Sequence, residues 1–211
     1  MTVRERRERE KLAIRDQILD AARELFIAEG YDGVSMRKVA ERIEYSPTAI
    51  YLHFADKKAL FRELCYQDFG RLAQSMQGLA MLHDPIERIR QLGLSYIEFG
   101  LKTPNHYKLM FMTAHPPAEL DDHDLEVKGN PEMDSYAFLR ATVQEASDAG
   151  LFRDDLDDVR VICQTLWSAL HGVVSLEIAK GCDYWVEWAP IQMRIEVMLD
   201  SILRGLLKQE G

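Results

Sequence analysis

Residues 35–57 read SMRKVAERIEYSPTAIYLHFADK, and this stretch decides the fold. Ser35 is placed to cap a short helix in which Val39, Ala40 and Ile43 recur at the spacing of one buried face, with Arg37 and Lys38 off that face. Ser46-Pro47 is a helix-start pair, because the serine oxygen satisfies a free N–H and proline's missing donor costs nothing at the first helical position. A second short helix follows, with Ile50 and Phe54 spaced to pack inward and Pro47, Thr48, Ala49, Leu52 and His53 left for the surface. Two short helices joined by a tight corner form the helix-turn-helix arrangement, whose second helix enters the major groove while the first crosses the backbone.

Working outward, Ile18, Ala22, Leu25 and Phe26 make a helical stripe that Gly30 closes, which supplies a first helix in front of the pair. From Ile18 to Leu60 the chain strongly resembles the tetracycline-repressor (TetR) family of bacterial regulators. The resemblance is carried by ILDAARELFIAEGYDGVSMRKVAERI and then SPTAIYLHFADKKAL, including Tyr51, His53, Phe54 and Lys57. It implies a DNA-binding head in which Ser35, Tyr51, His53 and Lys57 hold phosphates. Pro47, Thr48 and Ala49 are then presented to base edges, with Arg37, Lys38, Ser46 and Leu52 beside them. One residue departs from the family: Glu44 stands where a glycine usually turns the corner, so a side chain and a negative charge occupy a position that favours neither.

The 211 residues carry a net charge of −9, with ordinary globular composition. Residues 1–70 hold 13 basic and 13 acidic side chains, so the acidic excess lies wholly beyond them. A neutral head and an acidic body suit a protein that meets phosphate at one end only, although an acidic soluble surface gives the same total. No uninterrupted apolar run is long enough to span a bilayer, and MTVRERRERE lacks the apolar core of a secretory signal, so the expectation is a cytoplasmic protein with no membrane partner. Cys65, Cys163 and Cys182 are odd in number, contain no CxxC pair, and read as reduced thiols.

Along the chain, residues 4–11 alternate Arg and Glu and read as a solvated helix extension or a DNA-gripping arm; Arg4, Arg6 and Arg7 are its test positions. Asp56 opens a long helix to about Leu79, whose first residues, Lys57 and Lys58, oppose the helix dipole; phosphate contact rather than stability is the expected reason for them. Asp84-Pro85, Thr103-Pro104 and Asn130-Pro131 each open a further helix: 85–102, 104–112 and 131–149. Residues 115–129 read as a loop, and two last helices are expected from Asp155 to Lys180 and from about Trp188 to Lys208. Nothing shows the period-two pattern of strands. The fold class is therefore all-α, with a helix-turn-helix head over residues 1–55 and a helical ligand-binding and dimerisation domain over residues 56–211.

WSALHG, residues 167–172, resembles the Trp-His-Gly (WHG) motif of one C-terminal domain type in the same family, and Pro104, Tyr107, Leu109, Met110 and Phe111 extend the likeness. It implies an effector cavity bordered by Tyr96, Phe99, Tyr107, Met110 and Phe111, with Trp167 and His171 as its polar edge. On residue spacing alone, these side chains fit core packing as well as a pocket. Gly172 is small enough to admit another helix. The apolar faces of the last two helices exceed one partner's need, which points to a homodimer through both, and two heads suit a palindromic operator.

The acidic run DDHDLE, residues 121–126, has metal-ligating types in consecutive positions without the spacing of a defined site, and reads as a solvated loop. No metal, cofactor or catalytic residue is expected, since no phosphate loop, nucleophile elbow or HExxH occurs. The reading is a ligand-responsive regulator, most simply a repressor of a double-stranded DNA operator. It is released by a small apolar or aromatic effector, uncharged or weakly anionic. The rival is a helical enzyme or adaptor whose head has lost DNA binding.

Overall fold

The structure, a computed structural model, describes residues 2–116 and 120–208. Among these the ten α-helices leave no strand, only an isolated bridge between Phe152 and Leu207. The chain forms two compact units, Met1–Asp68 with Asn105–Glu119, and Phe69–Pro104 with Leu120–Gly211.

In the first unit, α1 (Val3–Gly33) is broken at Gly30, whose φ of +71° admits glycine without strain and ends the straight helix where the sequence placed the stop. Residues 4–11, read as a helix extension or a DNA-gripping arm, are helical, and Thr2 and Glu5 form a reciprocal capping box at the start. α2 (Met36–Arg42) and α3 (Pro47–Tyr51) start at Ser35 and Ser46, whose side chains accept from Lys38 N and Ala49 N. α4 (Lys57–Met76) crosses from the first unit to the second after Asp68, and Asp56 Oδ1 caps its start by accepting from Ala59 N at 2.7 Å. α6 (Pro104–Phe111) returns Tyr107 and Leu109 to full burial. Phe26, Ile18, Val39, Ala40, Ile50, Phe54, Leu60, Leu64 and Leu109 share one core, so the inward residues of both short helices are held by three longer ones.

That core also contains charge. Arg23 Nη2 donates to Asp68 Oδ1 at 3.0 Å and Arg23 Nε to Oδ2 at 3.3 Å, while His106 Nδ1 lies 2.7 Å from Oδ1. Asp68 is wholly buried and Arg23 nearly so.

In the second unit, α5 (Pro85–Lys102), α8 (Ser135–Asp148) and α9 (Val159–Lys180) pack on one another, and α10 (Ile191–Leu206) packs on α9. Gly93 makes the close approach possible: a Cβ there would lie 3.1 Å from both Leu170 and Leu199. Gly172, expected to admit a neighbouring helix, faces open space within this chain.

Several expected boundaries move. Asn130-Pro131 makes a turn, and the helix starts later because Asp134 accepts from the N–H groups of Tyr136 and Ala137. Likewise Asp158, not Asp155, caps α9. Within the expected loop 115–129, Asp121 and Asp124 cap one another to start α7 (Asp122–Val127), which gives the acidic run a structural reason; residues 117–119 lie outside the described residues. Beyond Met76 the expected helix tightens into a 3-10 turn, Gln77–Met81. The expectation of no bilayer-length segment also needs correction, because α9 is long and apolar enough by length and composition, with 28% of its 18-residue apolar window buried. Its apolarity serves contacts with α5, α8 and α10, plus an outward stripe.

Replacing Asp68 by Ala strands the Arg23 guanidinium in the core and is expected to cost about 3–5 kcal/mol of stability. Chemical denaturation followed by circular dichroism measures it. A triple apolar replacement, Arg23→Met with Asp68→Leu and His106→Leu, should recover most of that loss, since no charge is then left without a partner.

Candidate nucleic-acid interface

α3 is only five residues long, so its position comes from packing rather than helix propensity. Ile50, wholly buried, and Phe54, 4% exposed, anchor its inner side. The outer side then carries Pro47 and Thr48, both exposed, with Tyr51 54% and Leu52 77% exposed; Ala49 is half-buried. A leucine so open to water at the end of a pinned helix has no packing purpose inside this unit.

The corner between α2 and α3 is a Schellman turn. Tyr45 N donates to Ala40 O at 2.9 Å and Glu44 N to Glu41 O at 3.3 Å, with Glu44 at φ +60°. The turn that glycine usually makes is thus kept, with an exposed carboxylate at the strained position.

The cations around α3 are engaged. Arg37 Nε pairs with Glu41 at 2.8 Å, Arg42 Nη2 with Glu24 at 2.7 Å, and Lys38 Nζ with Glu29 while also donating to Gly33 O at 2.8 Å. Such exposed pairs are each worth about 0–1 kcal/mol, so phosphate can displace the carboxylates cheaply. Lys57 Nζ donates to Tyr31 O at 2.9 Å and lies 4.3 Å from the centre of the Tyr31 ring. Stability therefore does explain Lys57, contrary to the expectation from the dipole, because it ties the start of α4 to the end of α1 beyond its break at Gly30. Lys58 is exposed.

His53 is half-buried, and its Nδ1 is enclosed without a hydrogen-bond partner. Burial, then the charges of Lys11 and Arg15, lower its pKa, so at neutral pH the imidazole is neutral and not a cation. Arg15 crosses behind it: the guanidinium sits 4.5 Å from the Phe54 ring centre and bridges to Glu63 at 2.7 Å. Glu8, Lys11, Leu12, Arg15, Leu52 and His53 together line a shallow cleft of about 280 Å³. The first four of these come from α1. Nothing in the helix-turn-helix pattern signals that α1 reaches this surface; only the phase of the helix through residues 4–15 could have shown it.

The seven expected effector residues fall in both units. Tyr107, Met110 and Phe111 belong to the first, where the Tyr107 and Phe111 rings lie 4.9 Å apart. Tyr96, Phe99, Trp167 and His171 belong to the second, where Trp167 Nε1 donates to Tyr96 Oη at 3.0 Å and the Trp167 ring lies 6.0 Å from that of Tyr136. Burial lowers the pKa of His171, which keeps it neutral at pH 7. Cys65, pushed up to about 12, and Cys163, to about 11, are protonated by burial and unreactive.

Residues 18–64 match the family described as bacterial regulatory proteins, tetR family, and residues 89–202 match tetracyclin repressor-like, C-terminal domain. The chain is 25% identical over 211 residues to the probable acrEF/envCD operon repressor of Escherichia coli, covering 96% of this chain and 90% of that one. Over 69 residues it is 45% identical to the HTH-type transcriptional repressor Rv1474c of Mycobacterium tuberculosis, 32% of this chain and 37% of the other. A TetR family transcription regulator from Marinobacter aquaeolei shares the fold at TM-score 0.73 and 16% identity, over 97% of this chain and 100% of that one.

Substituting Glu44 by Gly relieves the left-handed strain and is expected to stabilise the protein by about 1 kcal/mol, read as a higher urea midpoint at unchanged slope. An unchanged or lower midpoint means that the carboxylate makes a compensating interaction.

Proposed function

This chain belongs to the tetR family of bacterial regulatory proteins, and from that premise we propose that it represses transcription by binding a palindromic operator as a homodimer until a small effector releases it. Family membership makes it a transcription regulator and not an enzyme. The relatives matched over the whole chain and over the head are both named as repressors, which favours repression over activation.

The observation that carries the reading is the outer side of α3. Thr48, Tyr51 and Leu52 stand in solvent on a helix whose other side is locked by Ile50 and Phe54, the geometry that inserts side chains into a major groove. Ser35, Ser46, Tyr51 and the remaining donors of Lys57 then hold the phosphate backbone. Arg37 and Lys38 exchange their carboxylates for it, and Pro47, Thr48 and Ala49 meet the bases. Such a protein works in the cytoplasm, beside the DNA.

Dimerisation through α9 and α10 is supported by what those helices leave uncovered. Val161, Thr165, Ser168, Gly172 and Leu176 fall on one side of α9, with Val161 52% and Leu176 49% exposed. Met193 and Val197, 57% and 60% exposed, continue this on α10. The open space at Gly172 suits a helix of the second copy. Leu199, by contrast, is 3% exposed and belongs to the internal core.

For the effector, Tyr96, Phe99, Trp167 and His171 offer aromatic surface, a tyrosine–tryptophan hydrogen bond and a neutral imidazole, which favour an apolar or aromatic molecule that is uncharged or weakly anionic. Ligand that prefers one arrangement of the body shifts the spacing of the two heads and weakens operator binding.

A mobility-shift assay on DNA flanking the protein's own gene tests the reading. The wild type is expected to bind, and Tyr51→Ala to bind at least tenfold more weakly with stability unchanged within about 0.5 kcal/mol. Wild-type affinity in that variant would sink the assignment of α3. Sedimentation tests the dimer: Val197→Glu with Leu176→Glu should give folded monomers, because both positions are open within one chain. A dimer that survives places the interface elsewhere.

A further inference from the structure

α1 does not begin with the head's core. Its first turns, residues 3–13, extend ahead of the first core residues, Ile14 and Ile18, as regular helix. Such a length of exposed helix is unstable unless something rewards it. The capping box at Thr2 secures only the first turn, and the exposed Arg6–Glu10 pair at 3.0 Å contributes little. They leave the other cations unexplained.

At 100° per residue, positions 4, 7, 11 and 15 fall within an arc of about 80°. The four side chains there are Arg4, Arg7, Lys11 and Arg15. Arg15 is fixed at the inner end, against Phe54 and Glu63, with its Nη1 3.5 Å from His53 O. Lys11 and Arg15 line the cleft that also contains Leu52 and His53, at the end of α3. The stripe thus runs outward from the surface that α3 presents. Glu8 is the one carboxylate lining that cleft; Glu5, held by its capping box, and Glu10, paired to Arg6, lie off the arc. Arg6 and Arg9 are about 140° and 160° around the helix from the centre of the stripe.

We infer that Arg4, Arg7 and Lys11, continued by Arg15, form a second tract of DNA phosphate contacts, lying along the backbone beside the groove that α3 enters. This rests on the operator-binding reading and adds to it a partner for the extension of α1. From residue 4 to residue 15 the stripe is about 16 Å long, the axial run of about five phosphates on one strand, so several can be met at once. Guanidinium groups suit the task because they bind phosphate oxygens in pairs. The arrangement also answers a weakness of the head: α2's cations must give up carboxylates to bind DNA, whereas Arg4, Arg7 and Lys11 make no ion pair among the described residues.

The test compares two double variants of the full-length protein that remove equal charge from the same helix, Arg7→Ala with Lys11→Ala and Arg6→Ala with Arg9→Ala. Each is titrated by fluorescence anisotropy, over a range of salt, against a duplex of about 40 base pairs that the wild type selects from a random pool, long enough for both half-sites and their flanks. Alanine favours helix, so folding is retained. Each lost phosphate contact lowers the log–log salt slope by about 0.9, so the first variant should lose about 2 units per head and bind at least tenfold more weakly near physiological salt. The second should change the slope by less than about 1. Equal losses in both variants, or a wild-type slope in the first, overturn the inference while the operator reading stands. A wild type that selects no duplex overturns both.

Discussion

Burying a carboxylate is costly unless hydrogen bonds compensate it, and the first unit is built around one that is so held. Asp68, on α4, accepts two hydrogen bonds from Arg23 on α1 and meets His106 on α6, so three helices distant in sequence are fixed by a single group. Removing two charges from water is expensive, and an apolar trio could equal the stability. What the charged version adds is geometry. A guanidinium fork and an imidazole nitrogen accept a carboxylate from few directions, whereas leucines slide. α2 and α3, too short to hold themselves, inherit that precision through Ile18, Phe26, Leu60 and Leu64.

Local chemistry was legible in the sequence wherever one side chain speaks to a backbone group a few residues away. Ser35, Ser46-Pro47, Asp84-Pro85 and Gly30 end or begin helices where they were expected to. The misplaced starts share a cause: both Asn130-Pro131 and Asp155 had a competing aspartate a few residues on, and the later one is the residue whose carboxylate reaches the free N–H groups, Asp134 those of Tyr136 and Ala137 and Asp158 that of Arg160. The Arg23–Asp68–His106 network was not legible, since its partners are 45 and 38 residues apart and no period links them. Nor was Gly93 distinguishable from Gly172; one is pressed by Leu170 and Leu199, the other faces space, and only packing separates them. Among the proposed site residues, the exposed side of α3 followed from helix phase, while the tie between Lys57 and Tyr31 did not.

The neutral charge of residues 1–70 takes on a sharper meaning once the pairs are visible. Arg37, Lys38 and Arg42 each meet a carboxylate in the free protein, so the region is close to self-neutralised at short range. If α2 meets DNA as proposed, these three side chains exchange one set of weak pairs for another, with the entropy of released counterions supplying the net gain. An affinity made by exchange is salt-sensitive, and it is in the range that the proposed effector, with a coupling of a few kcal/mol, would overcome.

α9 too lacks partners within the chain: an apolar helix in an acidic protein, it keeps little more than a quarter of its apolar window buried. In a membrane protein such a helix would be apolar on all sides, yet Gln164, Thr165, Ser168 and Ser175 interrupt this one, with two of them donating to their own helix carbonyls. Its inner side is accounted for by Ile162, Cys163, Leu166, Leu170 and Val174, all buried. What remains is a narrow outward stripe of small and apolar residues ending at Leu176, too polar for lipid and too apolar for water alone. In the proposed homodimer a second copy of the same stripe is a surface of matching width and polarity, as a twofold-symmetric interface requires.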